Sequence, residues 1–203
     1  MTAIRLIAGL GNPGPQYQHT RHNAGADFVA ALAHRYGITL AQDRKFKGLV
    51  GRGLVAGHDV RLLLPLTYVN LSGESVGAVA RFYRIEPEEI LVAYDEMAFE
   101  PGVVRLRSGG GDNGHNGIRS VIAGLGDSRD FHRLRIGVGH PGDRSRVTAY
   151  LTSARMPEAE RRIMEDVYDI PESVLAHLLA GELQKAMTAL HSREVPGAAP
   201  GEV

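Results

Sequence analysis

The sequence predicts a single α/β domain with a mixed, twisted β-sheet flanked by helices. Three observations predict it. Short apolar runs alternate with helix-periodic segments along most of the 203 residues. Runs such as Ile90-Leu91-Val92-Ala93-Tyr94 are apolar throughout, as strands buried on both faces are. Two apolar runs, 46–55 and 60–64, flank the turn Ala56-Gly57-His58-Asp59 and read as a hairpin, so the sheet is not purely parallel. The domain is expected over residues 1–192, with a disordered Pro/Gly/Ala-rich tail over 193–203.

Taken in order, residues 4–8 form the first strand and lead into a loop. Residues 24–36 form a helix, with Phe28, Val29, Leu32 and Ala33 on one face and Gly37 as its stop. After the hairpin, Pro65 ends its second strand. Ser72 is the expected N-cap of a helix over 73–83. The strand 90–94 carries Asp95 and Glu96 at its end, and 103–107 and 134–139 read as further strands. The stretch 108–117 is too glycine-rich for regular structure, and 118–125 follows it as a short helix. Residues 147–151 are a short apolar segment. Residues 157–191 are amphipathic and helical, broken near Pro171.

Charge is balanced overall, with 23 basic and 23 acidic side chains. It is unevenly spread. Residues 1–57 and 101–156 each carry net +5, while 86–100 hold six acids and no base. A basic face is therefore compatible with the composition, although ordinary scattered surface charge is the simpler reading of charge alone. The absence of cysteine excludes disulfides, thiolate metal sites and a cysteine nucleophile. With no signal peptide apparent and no apolar run near ~20 residues, a cytoplasmic protein without a membrane span is expected.

The loop after the first strand reads Gly9-Leu10-Gly11-Asn12-Pro13-Gly14. It matches the dinucleotide pattern literally but lacks its context. Prolines bracket Gly14, the helix starts some ten residues later, and no acid ends the next apolar run. His22, further along the loop, is a candidate base, with a capping or surface histidine as the bland alternative. Asp95 is the best orienting acid, and it lies beside His22 if the two strands are neighbours. Ser72 and Ser108 stand outside any nucleophile elbow, so a base here points to activated water. The histidine spacings match no zinc motif, so a metal site stays open but without support, and no motif calls for a cofactor. Asparagines recur in glycine-rich loops (Asn12, Asn70, Asn113, Asn116), either as turn residues or as amide contacts to a carbonyl or oxyanion. Gly109-Gly110-Gly111 reads as an anion-binding nest or a flexible connection. Arg105, Arg107, Arg119, Arg133, Arg135, Arg144 and Arg146 are candidate phosphate readers.

Five stretches in order carry a family resemblance. They are Gly-Leu-Gly-Asn-Pro-Gly with Thr-Arg-His-Asn-Ala-Gly, then Thr-Tyr-Val-Asn-Leu-Ser-Gly, then Tyr-Asp-Glu, then Gly-Gly-Gly…Gly-His-Asn-Gly, then Phe-His-Arg-Leu-Arg-Ile-Gly-Val-Gly-His-Pro-Gly. Over about residues 4–190 the chain resembles the bacterial peptidyl-tRNA hydrolases. The resemblance implies a single α/β domain, without metal, that cleaves the ester between a peptide and the 3′ ribose of tRNA. It implies His22 as general base, Asp95 as its orienting acid, and Asn12 as the residue that discriminates peptidyl from aminoacyl esters. Asn70 and Asn116 would contact the peptide and the 3′ end, Tyr17 and Tyr68 would flank them, and His115 would start a lid helix. Arg105, Arg107, Arg135 and Arg144 would meet tRNA phosphates, and the protein would act as a monomer. The chain departs from the family's pattern at Val69, at Ala98 and at Asp112-Asn113 in the lid loop. A non-catalytic RNA-binding protein and a dinucleotide-dependent oxidoreductase are the alternative readings.

Overall fold

The computed structural model describes residues 2–195 and 197. Its strands are β1 (Leu6–Gly9), β2 (Ala41–Asp43), β3 (Gly48–Val55), β4 (His58–Pro65), β5 (Ile90–Glu96), β6 (Val104–Ser108) and β7 (His132–Gly137). They form one mixed sheet in the order β2-β3-β4-β1-β5-β7-β6. Its centre is parallel: β1 pairs with β4 and β5, and β5 with β7. The added strands β3, β2 and β6 are antiparallel to their neighbours.

The helices are α1 (Ala24–Arg35), α2 (Ser72–Tyr83), α3 (Asn116–Gly124), α4 (Val147–Thr152), α5 (Glu158–Tyr168), α6 (Glu172–Leu179) and α7 (Leu183–His191). Strand periodicity divides the apolar residues between two cores. Ile7 and Leu91 face α1, α6 and α7, where they meet Phe28, Leu32, Leu175 and Leu178. Leu6, Ala8 and Val92 face α2 and α3, where they meet Val76, Ile118 and Phe131. Every residue of β5 is buried, as a continuous apolar run covered on both sides should be. Phe28 is fully buried, and its truncation to alanine would cost about 3–5 kcal/mol.

Two glycines set how closely the helices approach. A Cβ on Gly25 would lie 2.1 Å from the Ala93 carbonyl oxygen, so α1 rests directly on the β5 backbone. A Cβ on Gly73 would lie 1.8 Å from the Ser120 carbonyl oxygen, so the first turn of α2 rests directly on the middle of α3. The first contact brings the loop before α1 to the end of β5, and a third glycine, Gly117, sets the start of α3 against Val69 in the turn before α2.

Several local expectations change. Ser72 does not cap α2. It is the first helical residue, fully buried, and its hydroxyl donates to the Val69 carbonyl at 2.7 Å. The exposed three-residue β2 has no apolar alternation to announce it. The segment 147–151 is helical, as α4. The C-terminal helical region breaks twice, before α6 and again at Gly181, whose φ of +81° suits glycine. Packing continues past residue 192: Val195 is buried in the first core, and the Arg193 guanidinium bonds the carbonyls of Val167 and Asp169. The rest of the tail, residue 196 and residues 198–203, lies outside the described residues.

Candidate active site

The site lies at the carboxyl ends of β1 and β5, where open α/β sheets place ligands. Parallel pairing sets Gly9 opposite Ala93, and the Leu10 amide donates to the Ala93 carbonyl at 3.0 Å. The chain leaving β1 therefore runs past the residues that end β5. A 3-10 turn over Arg21–Asn23 then leads into α1 and carries His22. Its Nδ1 lies 2.8 Å from Asp95 Oδ2, across 73 positions of sequence.

Asp95 holds a second imidazole. His115 Nε2 lies 2.9 Å from the other carboxylate oxygen. His115 is the N-cap of α3, and its Nδ1 accepts the amides of Gly117 and Ile118 at 3.1 and 3.2 Å. Those two donors require an unprotonated Nδ1, so Nε2 carries the proton given to Asp95. Burial pushes the Asp95 carboxyl up, but the charges and hydrogen bonds of His22 and His115 outweigh it and hold the group well below the usual carboxylate range. An ionised Asp95 in turn fixes the proton of His22 on Nδ1 and leaves Nε2 as the ring's free acceptor. Burial lowers the His22 pKa, but the charge of Asp95 and its hydrogen bond reverse this, and the net shift is upward from 6.5.

Asn12 is oriented with similar economy. Its backbone is gripped by the buried Asn23: Asn23 Oδ1 accepts the Asn12 amide at 2.8 Å, and Asn23 Nδ2 donates to the Asn12 carbonyl at 3.0 Å. Asn12 Oδ1 accepts the Val69 amide at 2.9 Å. The Asn12 side-chain NH₂ is thus left to donate into the cleft. Asn23, part of the loop motif but given no role from sequence, is the residue that aims it.

Asn12, His22, Tyr68, Asn70, Asp95, His115, Asn116 and Arg135 all line one open cleft of about 890 Å³. Tyr68 is 55% exposed there, and Tyr17 meets it edge-on at 6.4 Å without lining the cleft itself. Arg105 and Arg107 also lie off the cleft. They stand opposite Arg135 and Arg133 in the β6–β7 register, so the four share a sheet face. Arg135 pairs with Glu96 at 3.0 Å. Arg144 is exposed on a 3-10 turn over Arg144–Arg146, also outside the cleft lining.

Two sequence readings are corrected. Arg133 is fully buried and donates to the carbonyls of Gly110 and Gly111, so it is no phosphate reader. The same bonds turn those glycine carbonyls toward a cation, which is the reverse of an anion nest. A further wall of the cleft, formed by Val147, Thr148, Leu151 and Thr152 of α4, contains no residue that a sequence motif singles out. Arg21 ties that wall to the turn bearing His22. Its guanidinium lies over the Tyr150 ring at 3.9 Å and bonds Glu160 at 2.9 Å. No 3.6-residue pattern could have revealed this, because α4 spans six residues.

Two of the departures noted in the sequence, Val69 and Asp112, make backbone contacts here. Val69 contributes its backbone amide to Asn12, which any residue except proline could do. Asp112 accepts the Gly114 amide at 2.8 Å and faces Arg119 at 3.5 Å, contacts that lower its pKa.

His22, Asp95 and His115 bring three potential metal ligands within 4.8 Å. A metal on His115 Nε2 would require a proton on Nδ1, where two backbone amides already point. The cluster is better wired for holding protons than for a metal.

A histidine with one ring nitrogen free, held by a buried carboxylate and facing a wide cleft at the carboxyl end of an α/β sheet, is an arrangement suited to an enzyme site. Comparison with known proteins narrows the class. The family model described as "Peptidyl-tRNA hydrolase" matches residues 6–197. Curated peptidyl-tRNA hydrolases of Pseudomonas aeruginosa and Pseudomonas putida are each 53% identical over 194 residues, covering 96% of this chain and all of theirs. A crystal structure of peptidyl-tRNA hydrolase from Acinetobacter baumannii superposes with a TM-score of 0.90 at 48% identity, over 96% of this chain and 97% of that one. The chain belongs to the peptidyl-tRNA hydrolase family.

Proposed function

We propose that this protein hydrolyses the ester joining a peptide to the 3′ ribose of tRNA, with His22 as general base. The observation that carries the reading is the 2.8 Å contact between His22 Nδ1 and Asp95 in the wall of an open cleft. A water between His22 Nε2 and the ester carbonyl carbon loses its proton to Nε2 as its oxygen attacks. Asp95 keeps the ring in the required tautomer and stabilises the imidazolium that forms. The Asn12 NH₂, with Asn70 and Asn116 nearby, is the donor set for the peptide carbonyl or the tetrahedral oxyanion. The proton on Nε2 then passes to the departing ribose oxygen, and tRNA and peptide leave.

Tyr68 offers an exposed ring for the 3′-terminal base or a peptide side chain, with Tyr17 buttressing it. Arg135, Arg105 and Arg107 form a basic track from the cleft to the sheet edge, and Arg144 stands on a separate turn. These arginines supply the phosphate contacts. No helix among the described residues is long and apolar enough to cross a membrane. The protein acts in the cytoplasm as a monomer. The reading is tested by single-turnover hydrolysis of a defined peptidyl-tRNA. Wild-type protein should release peptide and His22→Ala should not, while tRNA binding stays near normal. Near-normal hydrolysis by that variant would overturn the assignment of the base.

A further inference from the structure

A second cavity lies behind the catalytic turn, between α1 and α5, and the proposed hydrolysis makes no use of it. It holds about 230 Å³ and is lined by Asp27 and Ala30 of α1, Met164, Glu165 and Tyr168 of α5, and His19 and Met156 beside them, with Arg161 at the side. Three features set it apart from a packing defect. The Tyr168 hydroxyl oxygen is buried with no hydrogen-bond partner. Asp27 is half-buried, and among the described residues no donor reaches its carboxylate. Met156 and Met164 close the floor, both buried.

The chemistry of the wall selects the ligand. A carboxylate at Asp27, the phenol oxygen of Tyr168 and the carboxylate of Glu165 all accept hydrogen bonds, while the thioethers and the aromatic ring offer polarizable apolar surface. Arg161, Glu165 and His19 are all exposed residues, so Asp27 and Tyr168 are the polar groups the cavity encloses. A neutral apolar molecule would leave Asp27 and Tyr168 unsatisfied, and an anion would face the Asp27 carboxylate. An ammonium head on a short alkyl stem donates to the Asp27 carboxylate and the Tyr168 oxygen and lays its stem against the thioethers. We infer that the cavity between α1 and α5 is a binding site for a small primary alkylammonium ligand, held by Asp27 and Tyr168. At about 230 Å³ it is smaller than a drug-sized pocket and suits a stem of a few carbons.

The inference stands apart from the hydrolytic reading, and its test uses a different readout. The full-length protein is titrated with n-butylammonium and, separately, with the isosteric neutral n-butanol, following backbone amide shifts by NMR. Butylammonium should shift α1 and α5 amides around Asp27 and Tyr168 saturably at millimolar concentration, and butanol should bind at least 10-fold more weakly. Asp27→Asn should weaken the amine by at least 10-fold, and Tyr168→Phe by several-fold. Equal binding of amine and alcohol, undiminished binding to Asp27→Asn, or shifts confined to the cleft around Asp95 would overturn the proposal.

Discussion

Two imidazoles share the Asp95 carboxylate, and their surroundings make them chemically different. His115 spends both ring nitrogens: Nε2 on Asp95 and Nδ1 on the first amides of α3. His22 spends only Nδ1. Proximity to a carboxylate does not make a base; a spare lone pair facing the cleft does. His115 in turn secures the carboxylate that holds His22, and so couples the glycine-rich loop to the turn that carries His22.

The sharpest way to break this comparison is to remove each ring. His22→Ala should lower kcat by about 10²–10⁴-fold with little change in KM, the usual worth of general-base assistance. His115→Ala should cost on the order of 10-fold, because it loosens Asp95 and the α3 cap without removing the proton acceptor. Equal losses in the two variants would erase the distinction.

Asp95→Asn comes next, with an expected loss on the order of 10²-fold in kcat and a diagnostic pH profile. The base must be neutral, so wild-type activity rises with pH through a pKa that Asp95 holds above 6.5. Without that charge, burial alone acts on the ring, so the acid limb of the profile should move to lower pH. A limb that stays put would mean that Asp95 does not set the charge of His22.

Asp27 offers a contrast at the other end of the scale. Burial without a partner pushes its carboxyl up to about 7, whereas the more deeply buried Asp95 is held down by its partners. A raised carboxyl contributes full stability below its unfolded value of 3.8 and loses it as pH climbs through about 7. Asp27→Asn should therefore be more stable than wild type by about 2 kcal/mol at pH 8 in urea unfolding, reduced from the full shift because the group is partly exposed. At pH 4 the gap should close. A gap independent of pH would show that ionisation of Asp27 is not its cause.

The smallest effects belong to the basic track. Arg105→Gln, Arg107→Gln or Arg144→Gln should each raise KM a few-fold, leave kcat nearly unchanged and flatten its salt dependence. Salt-independent KM in the wild type would remove the phosphate reading.

The sheet's centre was legible because its strands are continuous apolar runs; that β1 and β5 are neighbours was only the condition for Asp95 to reach His22, and the parallel register meets it. The α4 wall and β2 were not legible, being too short for any period to emerge. Gly109–Gly111 carried a glycine signal but no sign, since sequence alone cannot say whether amides or carbonyls turn inward. The buried Arg133 decides that. Asn23 was hidden for a similar reason: its partners are the backbone atoms of Asn12, eleven residues away, and no motif records a backbone contact.

The most direct measurement is the protonation of the two imidazoles by ¹⁵N-resolved NMR above neutral pH. The predicted result is a proton on Nδ1 of His22 with Nε2 bare, and the opposite tautomer in His115. A proton on Nε2 of His22 would leave the ring with no acceptor for water and would contradict the account.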